Sequence, residues 1–127
     1  MKKFILYIPA ILWSLFILLG SLSSGNKIPV VKIPHLDKMI HFGLYFVLTG
    51  FFLFAHFYKQ PPLFLPLIVI SMYCSIYGGI IEILQEILTP DRTGEFLDMV
   101  ANICGCIFGA LFYRYLFKPV VNFRNNR

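Results

Sequence analysis

Four apolar segments, each long enough to cross a bilayer, restrict this chain to very few folds. They run from Phe4 to Gly20, Met39 to Tyr58, Leu63 to Leu88 and Phe96 to Phe117. At 1.5 Å per helical residue, segments of this length match a hydrocarbon core of about 30 Å. The stretches between them carry the turn chemistry: Ser21-Leu22-Ser23-Ser24-Gly25-Asn26 with Pro29 and Pro34, then Gln60-Pro61-Pro62, then Thr89-Pro90-Asp91. With 58% hydrophobic and 13% charged residues and a mean hydropathy of +0.77, a chain of 127 residues has far more apolar surface than a water-soluble domain of that size can bury. The expectation is therefore an all-α integral membrane bundle of four transmembrane helices, a single domain over residues 1–127 with no internal repeat or low-complexity tract.

The first segment also has the layout of a secretory signal peptide, with Lys2-Lys3, an apolar run and small residues near Ser21 to Ser24. Its apolar run is longer than a signal core and no soluble mature domain follows, so an uncleaved first helix is expected. Cations set the orientation. With the N-terminus inside, Lys2, Lys3, Lys59, Arg114, Lys118, Arg124 and Arg127 are cytoplasmic, against Lys27, Lys32, Lys38 and Arg92 outside. Both termini are expected in the cytoplasm, and all six acids then gather at the outer end. The net charge of +5 becomes an inner-surface feature suited to anionic lipid, and nucleic acid is not an expected partner.

Against this background the stretch GGIIEILQEILTPDRTGEFLDMVANICG, residues 78–105, places Glu82, Glu86, Asp91, Arg92, Glu95 and Asp98 in one interval between apolar flanks. On the second helix Asp37, His41 and Tyr45 recur every four residues and share a face, with Lys38 and Phe42 beside them. Glu82, Gln85 and Glu86 lie near the end of the third helix. On the fourth, Asp98 and Asn102 are again four apart, and Gly105 and Gly109 continue their stripe. A charged side chain near the bilayer centre costs ~2.5–3.5 kcal/mol on the lenient insertion scale, so Glu82 and Asp98 should face inward and be paired.

Each group has two readings. Asp37, Lys38 and His41 suit an interfacial helix start, and equally an oriented His–Asp pair that carries a proton or phosphate. Glu82, Gln85, Asp98 and Asn102 suit a network that holds helix register, and equally the wall of an outward-opening site. Glu86 and Glu95 are read as solvated boundary charges. Arg92 with Lys38, and Lys27 and Lys32 nearby, has the chemistry of a phosphate or carboxylate clamp; the alternative is a partner for Asp91 or Asp98. His41, Glu82 and Asp98 would supply mixed metal ligands, but no HExxH or other diagnostic spacing is present, and neither metal nor cofactor is expected. Cys74, Cys104 and Cys106 imply no disulfide framework. Gly105 and Gly109 suit close approach of two helices, and association between copies of the chain.

The segments DKMIHFGLYFVL, EILQ and DRTGEFLDMVANICG, in that order, resemble the VanZ-like family of small bacterial membrane proteins. Its pattern is Asp-Lys-x-x-His-Phe-x-x-Tyr, then Glu-x-x-Gln, then Arg, Asp, Asn and Gly. The resemblance implies Asp37, Lys38, His41, Glu82, Gln85, Arg92, Asp98 and Asn102 as the characteristic polar set, while Asp91 stands where many relatives carry a small residue. The family is named for low-level resistance to the lipoglycopeptide teicoplanin, and most members have no established activity. The resulting expectation is a non-enzymatic protein of the bacterial cytoplasmic membrane. Its outward-facing pocket, formed by this set with Tyr45, would bind a lipid-linked cell-wall precursor, another lipophilic anionic ligand or a lipoglycopeptide. One alternative is an intramembrane hydrolase or transferase using His41 with Glu82 or Asp98. Another is a small proton-coupled exporter, although the first helix lacks an acid.

Overall fold

The computed structural model describes residues 3–23, 34–89 and 95–125, with side chains through Phe117. Every regular element among them is helical. A 3-10 turn, Lys3–Tyr7, leads into α1, Ile8–Leu22; α2 is Leu36–His56, α3 is Phe64–Leu88 and α4 is Phe96–Asn125. Each helical stretch is long and apolar enough to cross a membrane, including the first when its 3-10 turn is counted.

The boundaries move where local backbone chemistry intervenes. Pro9 lies in the first turn of α1, where its missing N–H leaves no gap in the hydrogen-bond ladder, so the regular helix begins at Ile8. The second helix starts three residues before the expected Met39 because His35 takes a left-handed conformation (φ 60°) and turns the chain into Leu36. That shift places Asp37 in the first turn, where a carboxylate complements the positive helix N-terminus. Helix α2 stops at His56, short of Tyr58, and the chain reverses through Lys59 at φ 61°. Helix α4 continues past Phe117 to Asn125.

Successive helices run antiparallel. The starts of α2 and α4 and the ends of α1 and α3 therefore share one end of the bundle, which is the acidic one. The tightest seam joins α2 to α4. A Cβ on Gly105 would fall onto the carbonyl oxygen of Phe42, and one on Gly109 would lie 2.8 Å from that of Phe46, so these helices touch backbone to backbone. The stripe also expected to suit association between copies thus faces α2 of the same chain.

Helix α1 is tied on by polar contacts that an apolar stripe alone would not specify. The Trp13 indole donates to the Leu44 carbonyl (3.0 Å) and the Tyr77 hydroxyl to the Ser14 carbonyl (2.6 Å). One core cluster gathers Ile17, Tyr45, Leu48, Cys74 and Cys106, while Leu53, Phe57, Leu67 and Tyr113 form another nearer the opposite end. Large apolar side chains, among them Leu12, Met72, Ile87 and Leu111, are exposed around the outside of the bundle.

Candidate functional site

The polar residues that are scattered through the sequence meet at the acidic end because the helix directions alternate. The first turns of α2 contribute Lys38, His41 and Tyr45, the last turns of α3 contribute Glu82 and Gln85, and the first turns of α4 contribute Asp98 and Asn102. Their spacing of three or four residues keeps each set on one face of its helix.

The Lys38 ammonium is the hub. Its Nζ lies 2.6 Å from Asp37 Oδ2, 2.7 Å from Glu95 Oε2 and 3.1 Å from Asp98 Oδ1. Oxygen atoms of those three carboxylates lie within 4.8 Å of one another, a spacing that could hold a small cation, and the lysine itself supplies the positive charge. Behind the lysine, His41 Nδ1 faces two acceptors, Asn102 Oδ1 at 3.1 Å and Glu82 Oε1 at 3.3 Å. A carboxylate oxygen only accepts, so the arrangement favours a proton on Nδ1. Nε2 then points toward Asp98 Oδ2, whose separation of 3.9 Å is too long for a hydrogen bond. The Asn102 amide completes the network by donating to Glu82 Oε1 at 3.4 Å.

Burial rises steadily through this cluster. The side chains of Asp37 and Glu95 are 51% exposed, His41 is 15% exposed and Glu82 4% exposed, while Asn102 has no exposed surface. The result is a funnel of polar groups, solvated at its rim and enclosed at its base. Tyr45 closes the base: its ring lies against Gly78, where a Cβ would come within 3.0 Å of the ring and 3.1 Å of the Asn102 amide. The Tyr45 hydroxyl is buried with no hydrogen-bond partner among the described residues. Leaving such a group unsatisfied costs about 1–3 kcal/mol. Gln85 stands to one side, donating to the Ser21 carbonyl at 2.9 Å and fastening α3 to the end of α1.

Several assignments shift. Glu95, read as a solvated boundary charge, pairs with Lys38 and belongs to the rim. It lies three residues before Asp98, which carries its carboxylate to the side of α4 that faces α2. Asp37 shares a helical face with His41 in the sequence, yet it touches only the lysine at the exposed rim. Glu86 is exposed, as a boundary charge should be. Gly78 matters through the Tyr45 ring across the helix interface, a contact that no local pattern in the sequence marks. Asp91, Arg92, Lys27 and Lys32 lie outside the described residues, so Lys38 is the one member of the expected oxyanion clamp that is described, and its ammonium is shared by three carboxylates. Cys74 and Cys106 are buried and Cys104 is partly exposed; all three are free thiols.

An uncharacterized protein of the fission yeast Schizosaccharomyces pombe is 33% identical to the chain over 85 residues, which is 65% of this chain and 49% of the relative. The chain thus spans about half the length of the relative it matches. No protein-family model matches the chain, and no solved structure does.

Proposed function

We propose that the chain is a multi-pass membrane protein that holds the polar head of a lipid-linked or lipophilic ligand in the Lys38, His41, Glu82, Asp98 and Asn102 cluster. The observation that carries this reading is the gradient from a half-exposed rim at Asp37 and Glu95 to the enclosed Asn102. A network serving only helix register has no need of a solvated mouth, whereas a site approached from the membrane surface does. Among the described residues three carboxylates, those of Asp37, Glu95 and Asp98, share the Lys38 ammonium, while Glu82 faces His41. A head bearing an ammonium or several hydroxyls is therefore favoured at these residues over one that is purely anionic. An anionic portion would fall to Arg92, in keeping with the clamp read from the sequence.

The ordered polar set supports kinship with the VanZ-like proteins, and residence in a bacterial cytoplasmic membrane and an effect on teicoplanin susceptibility rest on that resemblance alone. The fission-yeast relative is a reason to define the ligand by site chemistry and not by one type of cell envelope. Native mass spectrometry of gently extracted protein tests binding. Wild type should carry a lipid or lipid-linked species that Lys38→Gln and Arg92→Ala lose while remaining folded. Wild-type protein stripped of any bound species, and unable to take one up from a membrane lipid extract, would defeat the proposal.

The geometry around His41 supports a second reading, hydrolysis or group transfer on the same ligand. Its Nδ1 is oriented by Glu82 and Asn102, leaving Nε2 to act as a base beside Asp98. Time-dependent product formation from the bound species, abolished in folded His41→Ala, would select this reading over simple binding.

Orientation follows from charge. Lys3, Lys59 and Arg114 lie at the end opposite the acidic cluster, and the positive-inside rule assigns that end, with both termini, to the cytoplasm. Reporters fused to the two termini should both read cytoplasmic; a split result would require an odd number of crossings.

A further inference from the structure

On the half of the bundle away from the polar cluster, α3 and α4 leave a cavity of about 420 Å³ between them. Its walls run from Ile76 and Ile103 near mid-helix to Phe64 and Arg114 at the basic end. Two serines line it without making it polar: the Ser71 hydroxyl donates to the Leu67 carbonyl (2.8 Å) and the Ser75 hydroxyl to the Ser71 carbonyl (2.9 Å). With their donors committed to the helix backbone, these small side chains mainly make room.

The mouth of the groove has a different character. The Arg114 guanidinium carbon sits 5.6 Å from the centre of the Phe64 ring, so the cation lies across the gap between the C-terminal half of α4 and the start of α3. Arginine remains charged at any physiological pH. No Asp or Glu occurs before Asp37, between Lys38 and Ile81 or after Asp98, so among the described residues this end of the bundle supplies no acidic side chain as a counter-charge. Lys59, stacked 5.4 Å from the Tyr58 ring, adds a second cation at the same end.

An apolar slot along the membrane-spanning part of two helices, ending at a fixed guanidinium at their basic end, has the shape and charge of a phospholipid turned inside out. We propose that the groove binds an anionic phospholipid, one acyl chain lying between α3 and α4 and the phosphate accepting hydrogen bonds from Arg114. A helix from a second copy would fill the slot but leave the cation without a counter-charge. This site is separate from the polar cluster at the other end, and its occupancy is independent of what that cluster holds.

Trp13 is the only tryptophan, so Trp13→Phe gives a silent background on which Met72→Trp, at the exposed rim of the groove, reports local lipid. Leu111→Trp, on the facing wall, is the second reporter, and Leu12→Trp on α1 reports bulk lipid. The purified variants, checked for helicity, are reconstituted in phosphatidylcholine vesicles containing brominated phosphatidylglycerol or brominated phosphatidylcholine. Both groove reporters should be quenched by the brominated anionic lipid at about fivefold lower mole fraction than by the zwitterionic one, the factor expected for one basic contact. Leu12→Trp should show no preference, and Arg114→Gln should abolish the preference at the groove.

Equal quenching by the two lipids at both groove reporters overturns the proposal. So does a preference that survives Arg114→Gln. Protection of both groove reporters from either lipid, with Leu12→Trp still quenched, would mean that protein covers the groove, and overturns it in favour of a contact between copies.

Discussion

Gly105→Ala should destabilise the bundle by at least about 3 kcal/mol in reversible detergent or urea unfolding, the upper range for forcing atoms into a packed interior. The added methyl would collide with the Phe42 carbonyl oxygen and lie 3.1 Å from both the Phe42 carbonyl carbon and the Phe46 nitrogen. These are backbone atoms of a helix and have no rotamer to move into, so α2 and α4 must separate along their closest seam. In a helix free of such contacts, Gly→Ala is favourable by about 1 kcal/mol, which makes the sign of the effect diagnostic. Gly79→Ala is the matched control, because the nearest atom its Cβ would meet is the flexible Met99 methyl at 4.0 Å. Gly79→Ala should be neutral or stabilising. Equal stability of the two variants would mean that α2 and α4 do not pack in the manner described.

The separation would also be felt at the site. Lys38 reaches Asp98, and His41 reaches Asn102, across that same seam. Gly105→Ala should therefore loosen the funnel although the glycine touches none of its polar groups.

Asn102→Leu should be the most damaging single change within the cluster. Asn102 is completely enclosed and bonds His41 on one side and Glu82 on the other. Leucine has a similar volume but no polar atoms, so it removes both contacts while keeping the space filled. Each buried group deprived of a partner costs about 1–3 kcal/mol, and two are affected, for a loss of about 2–6 kcal/mol in the same unfolding measurement. If the cluster only braces the bundle, Asn102→Leu combined with Glu82→Leu and His41→Leu should regain most of that stability, since the three mutually bonded polar groups are then removed together. If the cluster is a site, the triple variant should regain stability yet fail to retain the co-purifying ligand. An Asn102→Leu protein as stable as wild type would show that the network is not enclosed in the way its contacts indicate.

Much of the candidate site could be read along the chain because its members obey the helical repeat. Asp98 and Asn102, and His41 and Tyr45, are each four residues apart and necessarily share a helix face. Alternation of helix direction then brings the start of α2, the end of α3 and the start of α4 to one level. Glu95 was harder to read, because an acid just before a helix looks the same whether it faces water or a lysine on another helix. Its pairing depends on where Lys38 sits, 57 residues away along the chain. Gly78 is similar: a small residue in an apolar helix carries no sign that a tyrosine ring from α2 rests on it.

Helices long and apolar enough to span a membrane, with the described acids toward one end of the bundle and Lys59 and Arg114 toward the other, were legible along the chain. Those properties depend on the length, hydropathy and period of one segment at a time, and a single helix has them before it meets another. Packing of one helix on another is what places Gly105 and Gly109 against α2 of the same chain, makes Lys38 the shared partner of three carboxylates, and parts α3 and α4 to leave a groove ending at Arg114. An apolar helix surface carries no directional demand that would select one neighbour over another. The choice of neighbours rests on small residues that admit a backbone and on polar groups that must find each other across the interface, and both are properties of pairs of helices.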